Sequence, residues 1–190
     1  MYLFGGDRPW DASQFTASDD RVRGGKSQSY LTVLPAPEAE PASQAEFSGH
    51  LDITALGGAG FASQRTADGV PGWDLSGYDA LVLGVARADD RRYTLTLKDE
   101  VLPRRPDGRD QSTVSWEYDF VVGADAADVG STAGSTRVVI PFGEFKPTYR
   151  GKPKPDAEPL NLKNVKRISF MMRRQVHFSL RTIQRRLSGL

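Results

Sequence analysis

Four charged residues in strand-like segments could do chemistry: Lys98 in "RYTLTLK", Glu117 and Asp119 in "SWEYDF", and Arg173 in "ISFMMR". Glu117 or Asp119 can exchange a proton, and Lys98 or Arg173 can hold an anionic oxygen. A carboxylate set among Lys and Arg stays ionised near neutral pH, which suits Glu117 to the part of a base. Thr96, Ser115 and Met171 occupy the same alternate positions and are ligand-binding candidates. Tyr149 and Arg150 join them from a long loop that can close over a bound molecule. The bland alternative for the strand residues is an ordinary solvated sheet face.

Other motifs carry less. "DDRVRGGKSQSYL", Asp19 to Leu31, contains the Gly-Gly-Lys-Ser end of a phosphate loop, but counting back in G-x-x-x-x-G-K register reaches Asp20 where a glycine is needed. The residues that follow alternate as a strand and not as a helix facing phosphates. His50 and His177 are isolated, without the neighbours a triad or metal site requires, and His177 is expected on an outward face. "ADAAD" and "DGRD" resemble fragments of calcium loops but lack their ordered ligands and terminal acid, so they read as loop acids. No cysteine is present, which removes disulfides, thiol nucleophiles and thiolate metal sites. No cofactor or metal is expected.

The elements that must position these residues follow from apolar periodicity. Period-two alternation recurs at Ser27–Val33, Phe47–Ile53, Leu81–Val85, Tyr93–Leu97, Val114–Phe120, Val138–Phe142, Ile168–Met172 and Val176–Leu180. Nowhere does a 3.6-residue apolar stripe persist. Turn clusters separate the segments: "LGGAG", "ADGVPGWD", "ARADDRR", "LPRRPDGRD" and "GADAADVGSTAGST". About nine short strands joined in this way predict an all-β protein, a jelly-roll β-sandwich. Trp73, Phe61, Leu83, Leu95, Phe120, Ile140, Phe142 and Phe170 are its expected core. "LPAPEAEPASQ" and "FKPTYRGKPKPDAEPLN" read as long surface loops. Burying Tyr93, Leu95 and Leu97 sends Thr94, Thr96 and Lys98 to the other face, and the same step turns Ser115, Glu117, Asp119, Ser169, Met171 and Arg173 outward. If the three strands share a sheet, these residues form one polar panel.

At 190 residues the chain fits a single domain, residues 1–190, with a sizeable core. Lys plus Arg number 25 against 24 acids, so no overall field points to nucleic acid or membrane. After Glu158 only bases occur: Lys163, Lys166, Arg167, Arg173, Arg174, Arg181, Arg185 and Arg186. They read as solvated strand positions and a basic tail, with a phosphate or RNA surface as the alternative. No apolar run approaches the roughly 20 residues that span a bilayer. The first twenty residues resemble neither a transit nor a secretory segment, which makes the cytoplasm the expected compartment, or mitochondria if a transit peptide has been removed.

"DDRVRGGKS", "LGGAGFASQR", "WDLSGYDALVLGV", "RYTLTLKDE", "VVIPFGEFKPTYRGK" and "LNLKNVKRISFMM", in this order, resemble the complex I intermediate-associated protein 30 family, from about Phe4 to Ile183. The resemblance implies a galactose-binding-like jelly roll, a role as an assembly factor or chaperone, and no accepted catalytic residues. It also makes the Asp-Asp-Arg-Val-x-Gly-Gly-x-Ser stretch the entry to an early strand, with Asp19, Asp20 and Arg21 in a structural polar network. A binding module for a protein assembly partner or a small molecule is the expected function. The alternative is a cofactor-independent cyclase, isomerase or dehydratase in a biosynthetic pathway, using the Lys98, Glu117, Asp119 and Arg173 panel.

Overall fold

Strands with an apolar residue at every second position need a second apolar layer to cover them, and the chain supplies it with two packed sheets. The computed structural model describes residues 1–35, 44–123, 136–173 and 177–182. Among these lie β1 (Phe15–Ala17), β2 (Gln28–Leu34), β3 (Gln44–His50), β4 (Phe61–Thr66), β5 (Ala80–Ala88) and β6 (Arg92–Lys98). They are followed by β7 (Ser115–Val121), β8 (Thr136–Pro141), β9 (Lys146–Tyr149), β10 (Lys152–Pro153), β11 (Arg167–Arg173) and β12 (His177–Thr182). One sheet has seven strands in the order β1-β4-β11-β6-β7-β9-β10, the other five in the order β2-β3-β12-β5-β8. The fold is a jelly-roll β-sandwich of antiparallel sheets; its described helices are short 3-10 turns, none long and apolar enough to cross a membrane.

The core lies where the alternation places it. Tyr93, Leu95 and Leu97 of β6, Ile168, Phe170 and Met172 of β11, and Trp116 and Phe120 of β7 are buried against Phe47, Leu81, Leu83, Val85, Ile140 and Leu180 of the facing sheet. The N-terminal segment seals one side: Phe4 stacks on Trp10 at 5.2 Å between centroids and meets Trp73 edge-on at 5.7 Å. Trp73 is tied to Val165 by paired backbone hydrogen bonds of 2.8 and 3.0 Å. Gly72 precedes it because a Cβ there would meet the Val165 carbonyl oxygen at 2.9 Å.

Three expectations are corrected. Phe61 is not a core residue: it heads β4 on the outward face, where the Arg23 guanidinium covers its ring at 5.6 Å. Phe142 is only partly buried, in a 3-10 turn after β8. The long Pro- and Lys-rich excursion is not all loop, because β9 and β10 form a hairpin that adds to the sheet through β7. Its prolines hid it; Pro153 sits on the edge strand, where a missing N–H costs no ladder bond. β4 was hidden for another reason, its inward positions being Ala62, Gln64 and Thr66, and Gln64 Nε2 is satisfied by the Ser29 carbonyl at 3.0 Å.

Candidate functional site

The outward face of the seven-stranded sheet gathers the predicted panel. Strand register sets Arg65 of β4, Ser169 of β11, Thr96 of β6, Glu117 of β7 and Lys146 of β9 side by side in one row. At about 4.8 Å per strand this row spans roughly 19 Å. A second row runs Ser63, Met171, Thr94 and Asp119. Of the candidate residues, Thr96, Ser115, Glu117, Asp119, Met171 and Arg173 therefore share one face with Lys98 at its end.

Long side chains tie this face together. Arg173 Nη2 donates to Glu117 Oε2 at 2.5 Å, reaching diagonally over the second row. Thr94 Oγ1 donates to Asp119 Oδ1 at 2.6 Å. The expectation that Thr94 and Thr96 stand exposed is corrected: they are outward but only 3% and 5% accessible, covered by these arms. Thr96 Oγ1 is sealed from solvent and has no hydrogen-bond partner among the described residues.

Lys98 does not pair with a carboxylate. Its Nζ donates to the Thr113 carbonyl at 3.1 Å, the Thr113 hydroxyl at 2.9 Å and the Val114 carbonyl at 3.4 Å, fastening the loop before β7. Burial first, and then the Arg167 charge, lower its pKa from 10.5 to about 8, against partial support from Glu117 and Asp110. Tyr149 and Arg150 stand at the β9–β10 turn, with the Arg150 guanidinium over the Tyr149 ring at 5.4 Å and Arg150 Nε donating to Ser112 Oγ at 3.2 Å. They adjoin the Lys98 end of the face through Ser112 and Thr113.

Beyond Lys98 lies a cluster the sequence did not disclose. Asp68 and Asp110 each bridge the same three guanidiniums, Arg65, Arg104 and Arg167, at 2.8–3.3 Å. Arg167 is thus not the solvated base its sequence neighbours suggested; it is 8% accessible. Asp110, the last acid of "DGRD", is a partner of arginines. Burial works against the charged form of Asp68, yet Arg65, Arg167 and Arg104 outweigh it and hold the carboxyl below its usual range. Arg167 and Asp68 stand 99 positions apart, a separation no local motif spans. The network borders a cavity of about 590 Å³ between the loops that follow β4 and β6 and the segment that enters β11.

The opening Gly-Gly-Lys-Ser stretch serves structure. Asp20 accepts from Ser27 N at 3.0 Å, Ser27 Oγ at 2.7 Å and Phe61 N at 3.2 Å, and Asp19 from Ser29 N at 3.0 Å, Ser29 Oγ at 2.6 Å and Ser63 N at 2.8 Å. These bonds join β2 to β4 across the two sheets. Arg21 is not part of this network; its side chain is exposed. His50 and His177 are register partners in β3 and β12. "ADAAD", Arg174, Arg185 and Arg186 lie outside the described residues, as does the side chain of Arg181.

Solved structures similar to this one include the family 11 carbohydrate-binding module of the cellulosomal cellulase Lic26A-Cel5E of Clostridium thermocellum. It has a TM-score of 0.54 and 13% identity over 90% of this chain and 88% of that one. A solution structure described as CtCBM11 matches with a TM-score of 0.50 and 14% identity over 90% and 89% of the two chains. At such identities they establish the jelly-roll fold alone. An uncharacterised protein of Schizosaccharomyces pombe is 38% identical over 173 residues, 91% of this chain and 74% of that protein. Residues 3–182 match the model of the complex I intermediate-associated protein 30 family, from the N-terminal seal to the last described strand, and the chain belongs to that family.

Proposed function

We propose that this chain is a binding module that uses the outward face of its seven-stranded sheet to hold a small polyhydroxylated ligand. The observation that carries the proposal is the unbroken row Arg65, Ser169, Thr96, Glu117 and Lys146, hydrogen-bonding side chains in register across five adjacent strands. Such a row sets the Ser169 and Thr96 hydroxyls, which both donate and accept, between charged donors and an acceptor at strand spacing, groups able to bond a chain of hydroxyls. The unpartnered Thr96 hydroxyl fits the same reading, since a buried orphan hydroxyl costs about 1–3 kcal/mol and a ligand oxygen would relieve it once the Arg173–Glu117 pair swings aside. The names of the similar folds, carbohydrate-binding modules, agree with this ligand class. A protein-binding hot spot is usually aromatic and apolar at its centre, whereas among the described residues the apolar side chains of this face, Met171, Phe61 and Val121, are scattered over three strands and form no central cluster.

A titration of the protein with soluble oligosaccharides, followed by amide NMR, tests the reading. Saturable shifts at Thr94, Thr96, Ser169 and Met171, lost in Thr96→Val at unchanged or higher stability, are the expected result. Shifts confined to other surfaces, or capture of a protein through this face with no response to any oligosaccharide, would overturn it.

A second reading, proton-transfer catalysis without a cofactor, draws on Lys98, whose pKa of about 8 lies near working pH. Its three tethers to Thr113 and Val114 give it a structural task first. Turnover of a small metabolite abolished by Glu117→Gln and by Lys98→Met would replace the binding reading with this one.

A further inference from the structure

The cavity beside the Arg–Asp network lies outside the row just described and has a different chemistry. One wall is apolar: Val70, from the loop after β4, and Val101 and Leu102, from the loop after β6. Leu102 is 39% accessible, one of the few large apolar side chains left open to solvent. The other wall is charged, formed by Arg104, Lys166 and Arg167 with Asp68 and Asp110 between them.

The charge arithmetic of this wall leaves a positive excess. Three guanidiniums surround two carboxylates, and all four carboxylate oxygens already accept from arginine. On the lining itself Arg104, Lys166 and Arg167 stand against Asp68 and Asp110, an excess of one positive charge, with Arg65 behind them adding to the field. Burial, and next the neighbouring Arg65 charge, push the Arg167 pKa down, while Asp110 and Asp68 work against them. Arg104 is the accessible member, with a side chain 55% exposed, and it uses only Nε and Nη2 on the acids. Among the described residues its Nη1 has no partner, and Arg104 is one of the residues that line the cavity.

We propose that this cavity binds a small organic anion, with a phosphate or carboxylate group on Arg104 and Lys166 and an apolar portion against Val70 and Leu102. The two walls favour such a ligand over free inorganic phosphate, which would leave Leu102 uncovered, and over a neutral ligand, which would leave the cationic excess uncompensated. A volume of about 590 Å³ suits a ligand of metabolite size.

Calorimetric titration with phenyl phosphate tests the proposal, with benzoate separating carboxylate from phosphate and inorganic phosphate and benzyl alcohol as the two half-ligands. Saturable binding of phenyl phosphate or benzoate, at least about tenfold tighter than either half-ligand, is expected. Arg104→Gln should weaken it about tenfold, with Arg104→Lys intermediate, as expected from loss of the charge or of the fork alone. Leu102→Ser should weaken phenyl phosphate and leave inorganic phosphate unchanged. Both positions are exposed, so an unchanged melting temperature will show that the fold is kept. No saturable binding of either organic anion, benzyl alcohol binding as tightly as phenyl phosphate, or an undiminished affinity in both Arg104→Gln and Leu102→Ser would each overturn the assignment. None of these outcomes depends on whether the sheet face binds oligosaccharide.

Discussion

Gly25 shows how a residue that looks like part of a phosphate loop can be purely steric. A Cβ added there would meet Asp20 carboxyl atoms at 2.2 Å, so the glycine exists to admit a buried carboxylate. Its neighbour Gly24 turns the chain at φ 85°, a left-handed conformation that costs other residues about 1–2 kcal/mol. Gly25→Ala should displace Asp20 from Ser27 and Phe61 and cost about 2–3 kcal/mol in chemical unfolding; a cost within a few tenths would show the carboxylate to be dispensable. Lys98 makes a prediction with a sign. Below pH 8 it is protonated folded and unfolded, and the fold bears the full cost of burying the cation. Between about pH 8 and 10.5 the folded state gives up the proton while the unfolded chain keeps it, so stability rises with pH in that window. Melting temperatures of wild type minus Lys98→Met should therefore be flat below pH 8 and climb towards 10.5. A flat difference throughout would mean that Lys98 is well solvated.

Among the elements, the β9–β10 hairpin is the one whose local chemistry is most exposed to test. Tyr149 pairs with Lys152 across a two-residue turn whose central residues, Arg150 and Gly151, have φ of 52° and 75°. Such a turn matches the twist of its strands and needs a left-handed conformation at both positions. Gly151→Ala should cost about 1–2 kcal/mol by urea denaturation, and an unaltered midpoint would show the turn to be strained without consequence. This hairpin also marks where the sequence stopped being legible. Strands with strict alternation, such as β6 and β11, announced both themselves and the side chains they turn outward. β9 and β10 were masked by proline and lysine, and β4 by small and polar inward residues whose satisfaction depends on β2. The panel could be read because one strand's period decides which face each residue takes. The Arg65, Arg167, Asp68 and Asp110 network could not, because it depends on loops meeting across long separations. Phe61 was misplaced because an aromatic at a strand's start gives no sign of which face it joins.

At the scale of the whole molecule, stability rests on aromatic contacts that cross from one layer to the next. Phe170 of β11 lies 6.2 Å from Phe47 of the facing sheet and 6.5 Å from Trp10 of the N-terminal seal. Tyr93 links Phe47, at 6.3 Å, to Phe120, at 6.0 Å, and so extends the chain of rings to β7. One side chain thus touches both sheets and the segment that closes them. Phe170→Ala should cost about 3–5 kcal/mol, since it removes transfer energy and leaves a cavity between layers that cannot collapse independently. Phe61→Ala, on the outward face, should cost well under that. Because Phe170 and Trp10 share a contact, the double variant Trp10→Ala/Phe170→Ala should fall short of the sum of its parts by about 0.5–3 kcal/mol. Equilibrium unfolding of the four proteins, wild type, two singles and the double, measures this directly. Strict additivity would mean that the N-terminal segment is an appendage on a sandwich complete without it, whereas coupling makes Leu3 to Trp10 part of the core that holds the outward face in register.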